Sequence, residues 1–115
     1  MPTLQEKTIE RPSPGEYATY YGKYIDLVPE DDAHEALQSQ LDAVLPFLRS
    51  IPEAQANIVH APYAWTIKQV ISHLIDGERI FAYRALRFAR GDSVALPGFD
   101  ENEYAKTAMV DRLRI

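Results

Sequence analysis

The sequence predicts an all-α protein built on two main helices, because two amphipathic segments with their own start and stop signals dominate the chain. The first segment covers residues 33–50 and the second covers residues 67–90. Capping residues mark the start of each segment, and a proline or a glycine follows its end. No internal repeat is visible in the 115 residues, which indicates one domain.

Residues 1–30 are predicted to form an N-terminal arm. The first sixteen residues contain three prolines and a glycine and lack periodicity, which is typical of an extended segment. Four tyrosines follow within eight residues, namely Tyr17, Tyr20, Tyr21 and Tyr24. They are compatible with stacking against a base or another ligand. The favoured interpretation is an arm laid across a helix pair, with the rings buried and the hydroxyls in water.

The first main helix is predicted to begin after Asp32, which forms a capping box with Glu35. Its apolar residues recur at helical spacing: Leu37, Leu41, Val44, Leu45 and Leu48. Pro46 is predicted to kink the helix, because it removes one backbone hydrogen bond, and Pro52 marks the end. The connection over residues 53–64 has room for one short turn.

The second main helix has the clearest signals. Thr66 and Gln69 predict a capping box at its start, and Gly91 predicts a left-handed residue after its end. One face is apolar and is predicted to face the core: Val70, Leu74, Phe81, Ala85 and Phe88. Residues 91–115 are predicted to form a loop and a short helical tail, with helical pieces that begin at Asp100 and near Ala105.

Composition limits the functional classes. The formal net charge of −5 at pH 7 argues against a nucleic-acid partner or an anionic membrane, because both require a basic surface. The chain has no cysteine, which excludes a disulfide, a thiolate nucleophile and a Cys-ligated metal. No signal peptide and no apolar run of transmembrane length is visible, so the protein is expected in the cytoplasm.

Three residues of the second helix are candidates for function. His73 lies on the flank of the apolar face, where a lone histidine is more often satisfied by a hydrogen bond than bound to a metal. Glu78 has the chemistry of a general base, but an ion pair with an arginine such as Arg84 is the favoured interpretation. Gly77 costs about 1 kcal/mol relative to alanine inside a helix, which hints at close approach of a backbone or a ligand.

Two stretches of the chain together carry a family resemblance. One is WTIKQVISHLIDGERIFAYRALRFARGD with LPGFDENEY after it, and the other is RPSPGEYATYYGKYIDLVP. The first stretch resembles the second helix and the following loop of the DinB-like superfamily of metal-binding four-helix bundles. The second stretch resembles the N-terminal arm of one branch of that superfamily. The resemblance implies an up-down bundle, often dimeric. The bundle is expected to be incomplete here, as in a truncated protein, because the chain stops where the third helix should begin.

The resemblance also implies a metal site. The family's usual site takes three histidines, of which the one on the second helix matches His73, while the two on the last helix have no counterpart in this chain. Zinc or nickel is therefore expected in the complete family fold, and no tightly bound metal is expected in this chain. A catalytic zinc takes about three protein ligands, and the other candidates are His34, His60, Asp76 and Glu78.

Two functions of different classes follow. The first is a metal-dependent transferase or hydrolase, in which an ion held partly by His73 activates a thiol or a water. A small-molecule or thiol substrate is expected only if the metal site is completed. The second is a non-catalytic helical module, in which two helices from each of two chains form a four-helix bundle that buries Val70, Leu74, Phe81 and Phe88. A homodimer is expected, with no nucleic-acid or membrane partner.

Overall fold

The computed structural model describes residues 7–115, in which there are five α-helices and no β-strand. The helices are α1 (Gly22–Ile25), α2 (Ala33–Arg49), α3 (Glu53–Ala56), α4 (Ile67–Ala89) and α5 (Glu101–Thr107), with 3-10 turns at Thr19–Tyr21 and Val110–Arg112. The all-α prediction is confirmed. The chain divides into a unit that ends at Ser50 and a unit from Ile51 to Ile115. Within the described residues, no helix combines the length and the apolarity needed to cross a bilayer.

Arg11 ties the N-terminal segment to the turn that leads into α2. Its guanidinium donates hydrogen bonds to the backbone carbonyls of Ile25 at 2.9 Å, Val28 at 2.5 Å and Glu30 at 2.9 Å. It also forms an ion pair with Asp31 at 3.5 Å. Three carbonyl acceptors hold the planar donor group more firmly than an exposed ion pair does. The segment before α1 therefore folds back onto the residues that follow α1.

Three of the four clustered tyrosines lie in helical turns and are exposed, so the predicted burial of their rings is wrong, whereas Tyr17 is half-buried. Tyr20, Tyr21 and Tyr24 are 61%, 54% and 50% exposed. The Tyr20 ring centroid lies 5.3 Å from that of Tyr21 and 5.7 Å from that of Tyr24. The Lys23 ammonium lies 4.3 Å from the centre of the Tyr20 ring. Helical spacing brings Tyr20 and Tyr24 together, and Lys23 lies over both rings.

Asp32 caps α2, but without the predicted capping box. Its Oδ1 accepts hydrogen bonds from the backbone N–H groups of His34 at 3.4 Å and Ile9 at 3.1 Å. The carbonyl of Ile9 in turn accepts from the N–H of Ala33 at 2.9 Å. The N-terminal segment thus adds one donor to the capping carboxylate and one acceptor for the first N–H of the helix. The helix ends one residue before its predicted end.

Both ends of α4 agree with the prediction to within one residue. The capping box forms in full, because the Gln69 N–H donates to Thr66 Oγ1 at 3.1 Å and the Thr66 N–H donates to Gln69 Oε1 at 2.9 Å. The helix ends at Ala89, and Arg90 is the C-cap. Gly91 follows with a φ of 68°, in the left-handed region that glycine favours. Local capping interactions therefore determine where this helix begins and ends.

The tail contains one helix, α5, rather than two short pieces. Asp100 is its N-cap, since Oδ1 accepts from the N–H groups of Asn102 at 3.0 Å and Glu103 at 3.2 Å. Ala105, near which a second piece is predicted, lies buried inside this helix. The chain leaves α5 through Met109, whose φ is 52°. A single strong N-cap is sufficient to start a continuous helix here.

The interior of the C-terminal unit is small and includes a charge. Its buried residues are Ala56 on α3, Ala105 on α5 and Lys68 on α4. The Lys68 ammonium pairs with Glu53 on α3, while α5 and the 3-10 turn after it also pack on α4. No large apolar side chain is fully buried in the described part of this unit. α4 is therefore the element on which α3, α5 and the C-terminal turn assemble.

The predicted core face of α4 is exposed. We call four of its residues the apolar stripe: Val70, Leu74, Phe81 and Phe88, which are 42%, 50%, 64% and 72% exposed. The loop before α5 and α5 itself contact the neighbouring flank instead, where His73, Ile80 and Arg84 are half-buried. Within the unit from Ile51 to Ile115, neither α5 nor its loop covers the stripe, so its packing in a core stays a prediction.

Candidate metal-binding site around His73

His73 faces a carboxylate on α5. Its Nε2 lies 3.9 Å from Oε2 of Glu101, and its ring packs edge-on against Trp65 with 5.2 Å between centroids. The His73 side chain is 31% exposed, whereas Glu101 is 57% exposed. One ring nitrogen is thus directed toward an acidic partner, while an indole shields part of the ring from water. This agrees with a histidine satisfied by a polar neighbour and also with a ligand position.

The caps of two helices place these residues. The capping box of Thr66 and Gln69 fixes the first turn of α4, and His73 follows in the second turn. Asp100 caps α5, and Glu101 is the first residue of that helix. Because capping side chains satisfy backbone donors that are otherwise unpaired, they hold both helix starts in place. The contact between α4 and α5 then brings the imidazole and the carboxylate together.

The other two histidines have different partners. His34, on α2, has Nδ1 3.8 Å from Asp32 Oδ1, within the N-terminal unit. His60 lies in the connection before α4, with Nε2 3.3 Å from the carbonyl oxygen of Gln55. Both partners are close in sequence, so these contacts stabilise a helix start and a turn. Neither contact joins a second histidine to His73.

The remaining candidates on α4 differ from their predicted surroundings. Asp76 is half-buried. Glu78 is exposed and forms no ion pair with an arginine among residues 7–115, while Arg84 donates to the carbonyl of Pro97 at 3.2 Å. A Cβ added to Gly77 would meet only the ring of Phe81, at 4.0 Å. Within residues 7–115, no backbone approaches Gly77 closely.

Two possible metal ligands meet at this position, the His73 imidazole and the Glu101 carboxylate. Two donors on a tetrahedral zinc are separated by about 3.4 Å, given metal–ligand bonds of about 2.1 Å, and the observed 3.9 Å is slightly longer. No three His, Asp or Glu side chains converge on one point anywhere in the described residues. Since a catalytic zinc takes about three protein ligands, residues 7–115 of one chain do not fit a complete site.

Sequence reasoning found His73 but missed its two contacts. Glu101 is the first residue after an N-cap, where an acidic side chain is common because of the helix dipole. Nothing in the sequence therefore indicates that Glu101 contacts His73. Trp65 directly precedes the capping box, and its contact with His73 spans eight positions of the chain. An available signal was the order of elements, since a short helix directly after a loop tends to pack back on the preceding helix.

The family relationship follows from a direct comparison. A family model of the DinB superfamily matches residues 36–114, a range that contains α3, α4, α5, His73 and Glu101. No curated protein and no solved structure matches the chain. The matched range spans well over half of the 115 residues and includes the helix that carries the predicted resemblance. The chain therefore belongs to the DinB superfamily.

Proposed function

We propose that this DinB-superfamily chain is a helical association module that pairs with a second copy of itself through the apolar stripe of α4. The observation that carries the proposal is the exposure of four large apolar side chains in a row along one helix. Soluble monomers rarely leave a contiguous apolar surface open to water, and such surfaces mark interaction sites. Pairing removes this surface from water, which is the main favourable term in association.

The part of the stripe from Leu74 to Phe88 is symmetric about Phe81, which favours a copy of the same helix as its partner, while Val70 has no apolar counterpart. Leu74 and Phe88 each stand seven residues from Phe81, and Gly77 and Ala85 each stand four residues from it. In an antiparallel pair centred on Phe81, Leu74 lies level with Phe88 of the second copy. Gly77 lies level with Ala85 of the second copy, where two small residues allow close approach. The same patch then serves both subunits, as a two-fold interface requires.

A second exposed apolar surface supports the same assembly. It lies on α2 and consists of Leu37, Leu41, Val44, Leu45 and Phe47. Two copies therefore contribute four amphipathic helices, which is the number that a four-helix bundle packs around one core. Small domains commonly gain stability through oligomerisation, because they bury a smaller fraction of their surface on folding.

Cysteine cross-linking tests the register of the pair, because the natural chain has no cysteine. Leu74→Cys and Phe88→Cys chains are oxidised separately and as a mixture. The proposal expects a disulfide-linked dimer in the mixture and little in either variant alone, because a disulfide requires Cα atoms within about 7 Å. Arg90→Cys, on the opposite side of α4, is the control and should stay uncross-linked. Cross-linking of each variant to itself, or none in the mixture, would overturn the antiparallel pairing.

The second candidate function is a metal-dependent transferase or hydrolase with a small-molecule or thiol substrate. The observation that favours it is the half-buried His73 with the Glu101 carboxylate 3.9 Å from its Nε2. A bound divalent ion, zinc or nickel, would supply activation of a thiol or a water as the nucleophile. Residues 7–115 of one chain offer two donors to such an ion, so this function needs a ligand from elsewhere.

Native mass spectrometry with and without added zinc or nickel tests this second candidate. Metal retained by the wild-type protein and lost from both His73→Ala and Glu101→Gln would support it. His60→Ala is the matched control, because His60 contacts a backbone carbonyl outside the His73 site and its loss should leave metal binding unchanged. A wild-type protein that stays metal-free at excess metal would contradict this function.

A further inference from the structure

A separate cavity lies on the flank of α4, between that helix and the loop that precedes α5. Its volume is about 290 Å³, at the lower end of the roughly 300–1,000 Å³ typical of small-molecule sites. It is built entirely from the unit that begins at Ile51, and its walls include Arg79, Arg84, Phe99 and Tyr104. No residue of the apolar stripe lines it. The cavity is therefore distinct from the proposed association surface and from the His73 contact.

The cavity has two arginines and no acidic lining residue. Arg84 is half-buried and held in place by its bond to the Pro97 carbonyl at 3.2 Å and by its position 5.6 Å from the centre of the Phe81 ring. A guanidinium has five N–H donors, so one backbone contact leaves most of them available. Arg79 has no hydrogen-bond or ion-pair partner among residues 7–115. In a chain with a net charge of −5, this is a local positive site.

The next arginine along α4, Arg87, differs from Arg79 and Arg84 because it already has an acidic partner. Arg87 also lies on this side of the helix, but its Nε is 2.5 Å from Asp92 Oδ2, and its Nη1 donates to the Tyr83 hydroxyl at 2.8 Å. That guanidinium is already neutralised by a carboxylate of the same chain. Arg79 and Arg84 lack such a partner in the described residues and are therefore free to bind an anion. Guanidinium groups bind carboxylates in a planar, two-point geometry.

The opposite wall of the cavity is aromatic and apolar. The rings of Phe99 and Tyr104 lie 5.1 Å apart with 41° between their planes. Leu96 adds aliphatic carbon from the loop before α5, and Ile80 adds it from α4. Aromatic groups in offset or edge-on contact add favourable energy beyond the burial of apolar area. A flat ring bound here would therefore have carbon on one side and a guanidinium near its edge.

We propose that this cavity binds a small aromatic carboxylate, with Arg79 and Arg84 on the carboxylate and Phe99 and Tyr104 on the ring. The volume suits one or two fused rings rather than a larger ligand. The proposal goes beyond self-association, because it concerns a different side of α4 and needs only one copy of the chain. It does not involve His73, so it is independent of any metal.

Isothermal titration calorimetry with 2-naphthoate tests the proposal. The expected result is saturable binding of 2-naphthoate. 2-Naphthylmethanol, which has no carboxylate, and acetate, which has no aromatic ring, should each bind at least about tenfold more weakly. Arg79→Gln should weaken 2-naphthoate binding at least about tenfold, and this variant disturbs no contact within the described fold. Arg84→Gln should do the same. Arg90→Gln, which removes an exposed arginine outside the cavity, is the control and should bind as the wild type does.

Two results would overturn the proposal. One is the absence of saturable binding of 2-naphthoate to the wild-type protein. The other is binding that Arg79→Gln and Arg84→Gln leave unchanged, since the carboxylate would then be recognised elsewhere. A Leu74→Glu chain that is monomeric but still binds 2-naphthoate would support the cavity and show that it does not depend on self-association, because Leu74 lies on the stripe and does not line the cavity.

Discussion

The Lys68 ammonium lies 2.6 Å from the Glu53 carboxylate, and the two side chains differ sharply in exposure. Lys68 is 4% exposed, whereas Glu53 is 44% exposed and also accepts a hydrogen bond from the Ile115 N–H at 3.1 Å. The pair joins α3, α4 and the last residue of the chain. A buried ammonium without a counterion is costly, while a partly exposed carboxylate can be hydrated by water.

This difference in exposure predicts which of the two residues can be replaced at the smaller cost in stability. Glu53→Ala leaves a buried charge without a partner and should lower the melting temperature more than Lys68→Met, which leaves a carboxylate that water can reach. The double variant should lose less than the sum of the two single losses, because the residues interact directly. Thermal unfolding followed by circular dichroism measures all three. A Lys68→Met protein that is less stable than Glu53→Ala would contradict the account.

Stability should also depend on pH through Glu53. Its pKa is lowered, first by the hydrogen bond from Lys68 and then by that from the Ile115 N–H. A carboxyl group with a lowered folded-state pKa contributes stability that is present above its ordinary value of about 4.5 and is lost as pH falls through the lowered value. The gap in urea midpoint between the wild type and Glu53→Ala should therefore shrink in acid. A gap that stays constant from neutral pH to about pH 3 would refute this.

The start of α4 should depend on one hydroxyl. Thr66→Ala removes the acceptor for the Gln69 N–H and should cost about 1 kcal/mol of unfolding free energy, as N-cap losses typically do. Thr66→Ser keeps the hydroxyl and should lie close to the wild type. Urea unfolding measures both variants. Equal losses in the two would show that the methyl group of Thr66, rather than its hydroxyl, is responsible.

The elements predicted well from the sequence were those with local causes. The Thr66 and Gln69 capping box and the left-handed Gly91 depend on residues within a few positions of one another, so both ends of α4 were predictable. His73 stays a predicted metal ligand, because only the family resemblance indicates that role for it. The start of α5 at Asp100 was predictable for the same local reason.

The contacts that were missed join residues distant in sequence. Lys68 pairs with Glu53 on α3, and His73 faces Glu101 on α5, so both contacts join separate helices that no local pattern relates. Asp32 accepts from Ile9, which is 23 positions earlier, and forms no capping box with Glu35. Hydrophobic periodicity identifies which face of a helix is apolar, but it does not show which element covers that face. The exposed stripe of α4 illustrates this limit.

Gly77 should control how closely two copies approach. A Cβ at this position meets only the Phe81 ring at 4.0 Å, so the chain itself accommodates a side chain there. Gly77→Leu would place a large group level with Ala85 of the second copy and should weaken association at least about tenfold, with helix content retained. Gly77→Ala is the matched control with a small side chain and should still associate. Sedimentation velocity over a range of concentrations measures both, and an unweakened Gly77→Leu dimer would contradict the register.

The most direct test of the central claim is the molar mass in solution, measured by light scattering after size-exclusion chromatography. The account predicts twice the mass of one chain for the wild type and a single-chain mass for Phe81→Glu, because a carboxylate at the centre of the stripe opposes its burial. Tyr63→Glu, which changes an exposed aromatic residue outside the stripe, should remain a dimer. A wild-type monomer at every concentration, or a Phe81→Glu dimer, would contradict self-association through α4.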